Sequence, residues 1–271
     1  MRPNQHSFLI VLTVLSFLLC IESALAQVQH TNEWDSRSTS WAYSSSDRPS
    51  IDTTANSPSG GGALRFTYPA ATYPTSTTGG RAEYGALSGG SGTEYYFGHW
   101  VKWSPGFTWN PIANKIDYIW ARDKTPTLNS YPYIATRTNF GGNNLIVDVG
   151  IDTPHARSCN RTIPTFATGR WYWFEIHVKM NTVGSRNGVI EVWVDDVQCM
   201  SYFDVKMVDI NTTWGYFLHS PEWGGGGGTI PSTQYMWVDH SVISRSRIGR
   251  PGSTTPRDTT PPASPTAITV Q

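Results

Sequence analysis

The sequence predicts an all-β protein, a two-sheet antiparallel sandwich of jelly-roll type. Three observations carry that prediction. Run after run alternates apolar and polar residues with a period of two, as strands with one buried face do. Gly 25 and Pro 18 in 271 residues punctuate those runs with turn formers. No stretch beyond the N-terminal segment shows a convincing helical period of 3.6. Ten or more short strands separated by turns fit a sandwich or jelly roll.

Residues 1–26 read as a targeting segment. Arg2 supplies a basic start, Phe8 to Cys20 an apolar run, and Ala24-Leu25-Ala26 a small-residue cleavage signal. The apolar run is shorter than the roughly 20 residues that a membrane span needs. Leu19 stands before Cys20 where a lipid-attachment motif wants a small residue. The expectation is cleavage after Ala26 and a secreted protein with no remaining membrane contact.

A jelly-roll domain is expected over residues 27–249. Gln27 to Ser57 is polar, with Trp34 and Trp41 as anchors. Ala63 to Tyr68 reads as a strand, and so does Arg81 to Leu87, with Arg81, Glu83 and Gly85 on one face. In Glu94 to Trp103, Phe97, His99, Val101 and Trp103 share one side. In Asn114 to Arg122, Lys115, Asp117 and Ile119 alternate against Ile116, Tyr118 and Trp120. Tyr131 to Asn139 and Asn144 to Asp152 form a pair around Gly141-Gly142.

The stretch from Gly169 to Cys199 carries the clearest pattern. Tyr172, Phe174, Ile176, Val178 and Met180 form an apolar set; Trp171, Trp173, Glu175, His177 and Lys179 form the other. After a Gly/Asn loop, Ile190, Val192 and Val194 alternate with Glu191, Trp193 and Asp195. That is an antiparallel hairpin. Its apolar face needs a second layer, while its aromatic and charged face suits solvent or a sugar ligand. His177 is expected to pair across strands with Glu191. Thr213 to His219 is an aromatic strand followed by a loop with glycines from 224 to 228, and Gln234 to Ser244 closes the domain. From Arg250 to Gln271 the chain is rich in Thr, Pro and Ser, a linker composition.

Composition excludes some function classes. Charged residues are 15%, against ~25% in an ordinary domain. The 20 basic and 20 acidic residues cancel, and the targeting segment removes one of each. No electrostatic footprint for nucleic acid exists, and any anion site must be local. The glycine run is not followed by a helix, so it does not match a phosphate-binding loop. No Cys/His spacing suggests a metal site. No cofactor is expected, with a structural calcium ion left open. A monomer is expected. Cys159 and Cys199 remain after the leader, and an exported protein can oxidise such a pair to a disulfide.

The segments GRWYWFEIHVKMN, GVIEVWVDD and QYMWVDHSVIS resemble the last strands of concanavalin A-like jelly rolls. The pattern is most similar to polysaccharide lyases of the alginate, glucuronan and heparin lyase-like group. Those carry a Trp-x-x-x-Glu strand, here Trp171 to Glu175, a long hairpin, a WVDG-type turn and a closing tyrosine-aspartate strand. Asp195-Asp196 replaces Asp-Gly in that turn. The resemblance spans Leu64 to Ile248. The final DTTPPASPTAITV resembles the entry into a fibronectin type III-like module.

The resemblance implies a polysaccharide partner and removal of the proton beside a uronate carboxyl group. That chemistry needs a neutraliser for the carboxylate and a Tyr or His as base and acid. An Arg-x-Glu strand lies on the concave sheet of the family, and Arg81 and Glu83 match it. The alternative for these two is a surface ion pair. Lys115 stands where similar proteins have a Gly-Gly-Lys strand, with Ala113-Asn114 in place of the glycines. His219 and Tyr216 lie on the strand resembling the family's cleft strand; three apart, they face opposite sides unless a bulge intervenes. His99 is a further catalytic candidate or a core histidine. Trp223 is the candidate sugar platform among the loop tryptophans Trp109, Trp120 and Trp223. The Tyr-x-Lys spacing of the family is absent, and no paired carboxylates sit at glycosidase spacing. Two functions stay open: a lyase acting on a uronic-acid polysaccharide, and a non-catalytic carbohydrate-binding or adhesive module.

Overall fold

The computed structural model describes residues 28–43, 48–85, 87, 92–124, 133–139 and 144–253. The targeting segment, the Gly141-Gly142 turn and the chain beyond residue 253 lie outside the described residues. The strands are β1 (Val28–Asn32), β2 (Ala42–Tyr43), β3 (Pro49–Asp52), β4 (Ala63–Tyr68), β5 (Ala71–Tyr73), β6 (Thr77–Thr78), β7 (Ala82–Tyr84), β8 (Glu94–Trp103) and β9 (Ala113–Ala121). They continue with β10 (Tyr133–Asn139), β11 (Asn144–Val149), β12 (Ala156–Ser158), β13 (Trp171–Lys179), β14 (Gly188–Val194), β15 (Val197–Val205), β16 (Trp214–Gly224), β17 (Gly228–Ile230) and β18 (Gln234–Ser244). No helix among the described residues is long and apolar enough to cross a membrane.

Two antiparallel sheets of eight strands form the sandwich. The first runs β15-β14-β13-β8-β18-β4-β3, with β1 also paired to β18. The second runs β12-β11-β10-β9-β16-β7-β2, with β6 also paired to β16. Neighbours come from distant parts of the chain, which is the jelly-roll crossing pattern. Alternate residues of each strand fill the space between. Phe66, Phe97, Phe174 and Ile176 from the first sheet meet Ile119, Val147 and Phe217 from the second, all essentially inaccessible. The rings of Phe97 and Phe217 stack across the sheets at 4.7 Å. Truncating either to alanine would cost about 3–5 kcal/mol. Trp34 and Trp41 anchor the N-terminal region in this same core.

The central hairpin pairs β13 with β14, with Ile176 opposite Val192 and His177 opposite Glu191. It ends earlier than the sequence suggests. Val194 pairs with Val197 across a two-residue turn, and Asp195 and Asp196 both have positive φ (50° and 66°). That is a left-handed turn normally given to Asn or Gly. The two carboxylates compensate: the Trp173 amide donates to Asp195 (3.0 Å), and the Arg250 amide donates to Asp196 (2.8 Å). Cys199 therefore lies within β15 rather than at the end of the hairpin.

The outer face of the first sheet is covered around Trp173 and Glu175, not open to solvent. Residues 245–250 lie across it. The amides of Ile248 and Gly249 donate to Glu175 (2.7 and 2.9 Å), and Arg247 sits over Trp193 at 4.6 Å. Burial pushes the Glu175 carboxyl above its usual range against those hydrogen bonds. Gly98 is needed beneath: a Cβ there would meet Trp173 at 2.5 Å.

Cys159 and Cys199 are free thiols here, where the sequence suggests a disulfide. Their segments are nonetheless adjacent, since the amides of Asn160 and Arg161 both donate to the Cys199 carbonyl at 3.0 Å. A hydrogen bond with Cys199 draws the Cys159 thiol below its ordinary pKa.

Candidate active site

The outer face of the second sheet centres on β9, between β16 and β10. Strict alternation would put Lys115 and Tyr118 on opposite faces. Instead Asp117 pairs with Thr136 while Lys115 pairs with Arg137, so Ile116 is an extra residue on β9. Such a bulge re-aims the side chains around it. Ile116 and Asp117 both end up in the core, and Lys115 and Tyr118 both face outward. β16 shifts register at the same level, between His219 and Glu222.

Three outward rows result. Tyr216, Trp120 and Tyr133 are register partners across β16, β9 and β10; so are Leu218, Tyr118 and Ala135, and so are Glu222, Lys115 and Arg137. Lys115 Nζ donates to Glu222 at 2.8 Å and lies 5.7 Å from the Tyr118 ring centre. Burial pulls the Lys115 ammonium down, but hydrogen bonds to Glu222 and Tyr118 outweigh it and raise its pKa. Burial raises the Tyr118 phenol against the opposing hydrogen bond from Lys115. Arg137 grips Asp148 bidentately at 2.6 and 3.1 Å. The Tyr118 ring lies 6.0 Å from Tyr133 and 6.2 Å from Trp120. Each cation here is balanced by an acid, and an aromatic row borders them.

Of the sequence candidates, Lys115 and Tyr216 lie on this face. Arg81 and Glu83 form an ion pair at 3.5 Å beside it, on and just before β7, with the Arg81 side chain 44% exposed. His99, His219 and Trp223 do not reach the face. Trp223 is 2% exposed and donates its indole N–H to the Thr108 carbonyl at 2.6 Å, so it packs inside. Trp109 likewise packs against Trp103 and Phe107. His99 and His219 are fully buried between the sheets with Asp117. His219 Nδ1 lies 2.7 Å from Asp117 Oδ1, and His219 Nε2 lies 2.8 Å from Ser241 Oγ. Burial takes His219 down to about 3 and His99 down to about 4, and lifts Asp117 to about 6. At 0% exposure neither histidine can touch a polymer.

Tyr118, Tyr133, Arg137 and Asp148 are the residues that sequence reasoning left without a role on this face; Trp120, considered there with the loop tryptophans, lies on β9 within it. Arg137 was available: Tyr133, Ala135 and Arg137 alternate cleanly on one side of β10. Tyr118 was hidden by the bulge.

A family model described as polysaccharide lyase 14 matches residues 119–234. That span holds Trp120, Tyr133, Arg137, Asp148 and Tyr216, and starts just after Tyr118. No curated protein sequence matches the chain. Solved structures share the fold. An endo-β-1,4-glucuronan lyase from the fungus Trichoderma reesei aligns with TM-score 0.62 and 13% identity, over 81% of this chain and 96% of that one. The marine PL-14 alginate lyase from Aplysia kurodai aligns with TM-score 0.57 and 18% identity, over 73% and 87%. The cellulose induced protein Cip1 aligns with TM-score 0.55 and 14% identity, over 82% and 100%. In fold this chain is a two-sheet jelly roll similar to those of alginate and glucuronan lyases, and over residues 119–234 its sequence matches the polysaccharide lyase 14 family model.

Proposed function

We propose that the protein is a secreted polysaccharide lyase that cleaves a uronic-acid polymer by β-elimination on the outer face of the second sheet. One observation carries this: the bulge in β9 sets Lys115 beside Tyr118, with Arg137 as Lys115's cross-strand partner. In this reading Arg137 presents its fork to the uronate carboxylate, exchanging part of its hold on Asp148. Tyr118 moves the proton. As phenolate it takes the hydrogen from the carbon beside the carboxyl group. The C–H electrons form the new double bond and the glycosidic C–O bond breaks. The leaving oxygen then takes the proton from Tyr118, which restores the phenolate. Lys115 stabilises that phenolate through its hydrogen bond. Tyr216, Trp120 and Tyr133 offer a strip on which neighbouring sugar rings stack. Likeness in fold to an alginate lyase and a glucuronan lyase supports an acidic polymer as substrate.

A second reading has its own observation. Lys115, Arg137 and Arg81 each already hold an acid, namely Glu222, Asp148 and Glu83. A face with its charges satisfied suits neutral sugars stacked on the aromatic row, without catalysis. Ultraviolet absorbance separates the two. The lyase makes an unsaturated uronate from alginate or glucuronan, and its absorbance grows with time. Binding to these polymers or to neutral glucans without such growth, at any pH from 6 to 10, would establish the non-catalytic module.

A further inference from the structure

We propose that His99, Asp117 and His219 form a divalent transition-metal site of the zinc class, inside the sandwich, that staples the two sheets together. The donors come from both layers. His99 lies on β8 of the first sheet; Asp117 on β9 and His219 on β16 belong to the second. One ligand atom from each falls within 4.8 Å of the others. Two imidazoles and a carboxylate are the donor set that such ions take, with metal–ligand distances near 2.0–2.2 Å.

Two further observations point to a ligand. His99 is fully buried, yet neither ring nitrogen makes a hydrogen bond. Its Nε2 faces Asp117 Oδ2 at 3.4 Å, longer than a good hydrogen bond and close to the spacing of two donors on one tetrahedral ion. A buried polar group left in that state is costly unless something satisfies it. The outer shell around His219 is also built. Its Nε2 reaches Ser241 Oγ at 2.8 Å, and the Trp34 indole N–H donates to the same oxygen at 2.8 Å. Without an ion, Nδ1 and Asp117 Oδ1 share a hydrogen bond at 2.7 Å; on binding, that proton would leave, Nε2–H would donate to the Ser241 hydroxyl oxygen, and Nδ1 would offer its lone pair to the ion. Thr136, whose hydroxyl oxygen lies 3.5 Å from Asp117 Oδ2, borders the carboxylate. The same carboxylate is turned inward by the β9 bulge, so the ion would lock the bulge that places Lys115 and Tyr118. No local spacing points to it, because the three residues are scattered along the chain.

The test uses the full chain, purified without chelator and then stripped. Because the site is enclosed, Zn²⁺ or Co²⁺ is supplied both to the native protein and during refolding from urea. The expected result is one equivalent of ion by elemental analysis, a raised melting temperature, and a cobalt spectrum of tetrahedral intensity without a thiolate band. His99→Phe keeps an aromatic ring among Phe174 and Phe217. It should retain cooperative unfolding and weaken binding by more than the roughly 100-fold that loss of an outer-shell partner costs. No ion taken up by either route overturns the proposal. So does unchanged affinity in His99→Phe. A thiolate band would assign the ion to Cys159 and Cys199 and also overturn it. If His99→Phe does not fold, the stoichiometry and cobalt spectrum of the unaltered chain decide alone.

Discussion

Lys115 and Arg137 stand directly opposite each other on β9 and β10, two cations in register on one open face. Like charges so placed repel and would ordinarily be selected against in a sheet. Here Glu222 and Asp148 flank them on either side. The four side chains make a strip with two cations at its centre and an acid at each end, so each cation is neutralised from its outer side.

Arg137 gives the first prediction. Hydrogen bonds to a charged group contribute about 1.5–3 kcal/mol. Arg137→Ala should therefore weaken binding of alginate or glucuronan by roughly ten-fold to a hundred-fold. Arg137→Lys keeps the charge without the fork and should recover part of that. Titration calorimetry against an acidic and a neutral polymer reads both. Equal losses on the two polymers would remove Arg137 from carboxylate recognition.

Tyr118 gives the second. Tyr118→Phe should lower kcat by about 10²–10⁴ and leave KM within a few-fold. Because burial holds the phenol above its ordinary pKa of 10.0, the phenolate fraction at neutral pH is small and grows with pH. The wild-type rate should rise from neutral into alkaline conditions. A rate that instead falls steadily from pH 6 to 9 would take the base role away from Tyr118.

Arg81 is expected to matter little. Its partner Glu83 lies at 3.5 Å, and the arginine is 44% exposed. Surface pairs of this kind contribute about 0–1 kcal/mol. Arg81→Ala should change polymer binding by less than about five-fold. A loss as large as that of Arg137→Ala would shift the centre of the site toward β7.

The fourth prediction concerns pH and the first sheet. His177 is held between Glu191 and Glu94, each at 2.9 Å, and stacks on Tyr96 at 4.1 Å; Lys179 lies 3.3 Å from Glu94. Burial lowers the His177 pKa, but the two carboxylates more than reverse this and leave it raised. The folded state thus holds that proton more tightly. The stabilisation is complete below about 6.5 and fades as pH rises through the folded value. Glu94 works the other way. Its hydrogen bond to His177 leads in drawing it from 4.5 to about 2, so its share is lost as pH falls toward 2. Partial exposure of Glu94 reduces that share. His177→Gln should lower the melting temperature most between about pH 4.5 and 6.5, with the gap closing in alkaline buffer. A gap that widens with rising pH would contradict the pairing.

The fold was legible because burial on one face imposes a period of two. β4, β8 and β18 fall where alternation and turn residues put them, and the apolar set of β13 faces the core as read. The site was only partly legible, because it depends on departures from that period. The extra residue at Ile116 separates Lys115 from Asp117 and Ile119, with which alternation groups it, and so hides the Lys115–Tyr118 pair. The register shift beyond His219 lets β16 run on through Trp223, which sequence alone reads as a loop tryptophan. Bulges arise from pairing with strands remote in the chain, so no local pattern announces them. The cover over Glu175 was equally invisible, since residues 245–250 have no periodicity of their own.

That cover also fixes where the chain leaves the domain. Ile248, Gly249 and Arg250 are tied to Glu175 and Asp196 on the first sheet, on the opposite side of the sandwich from Lys115 and Arg137. A tether attached at Arg250 would leave the face that carries Lys115 and Arg137 unobstructed. Shortening the chain to before Ile248 would do the reverse of trimming a tail: it would uncover Trp173 and leave the Glu175 carboxylate without its two amide donors.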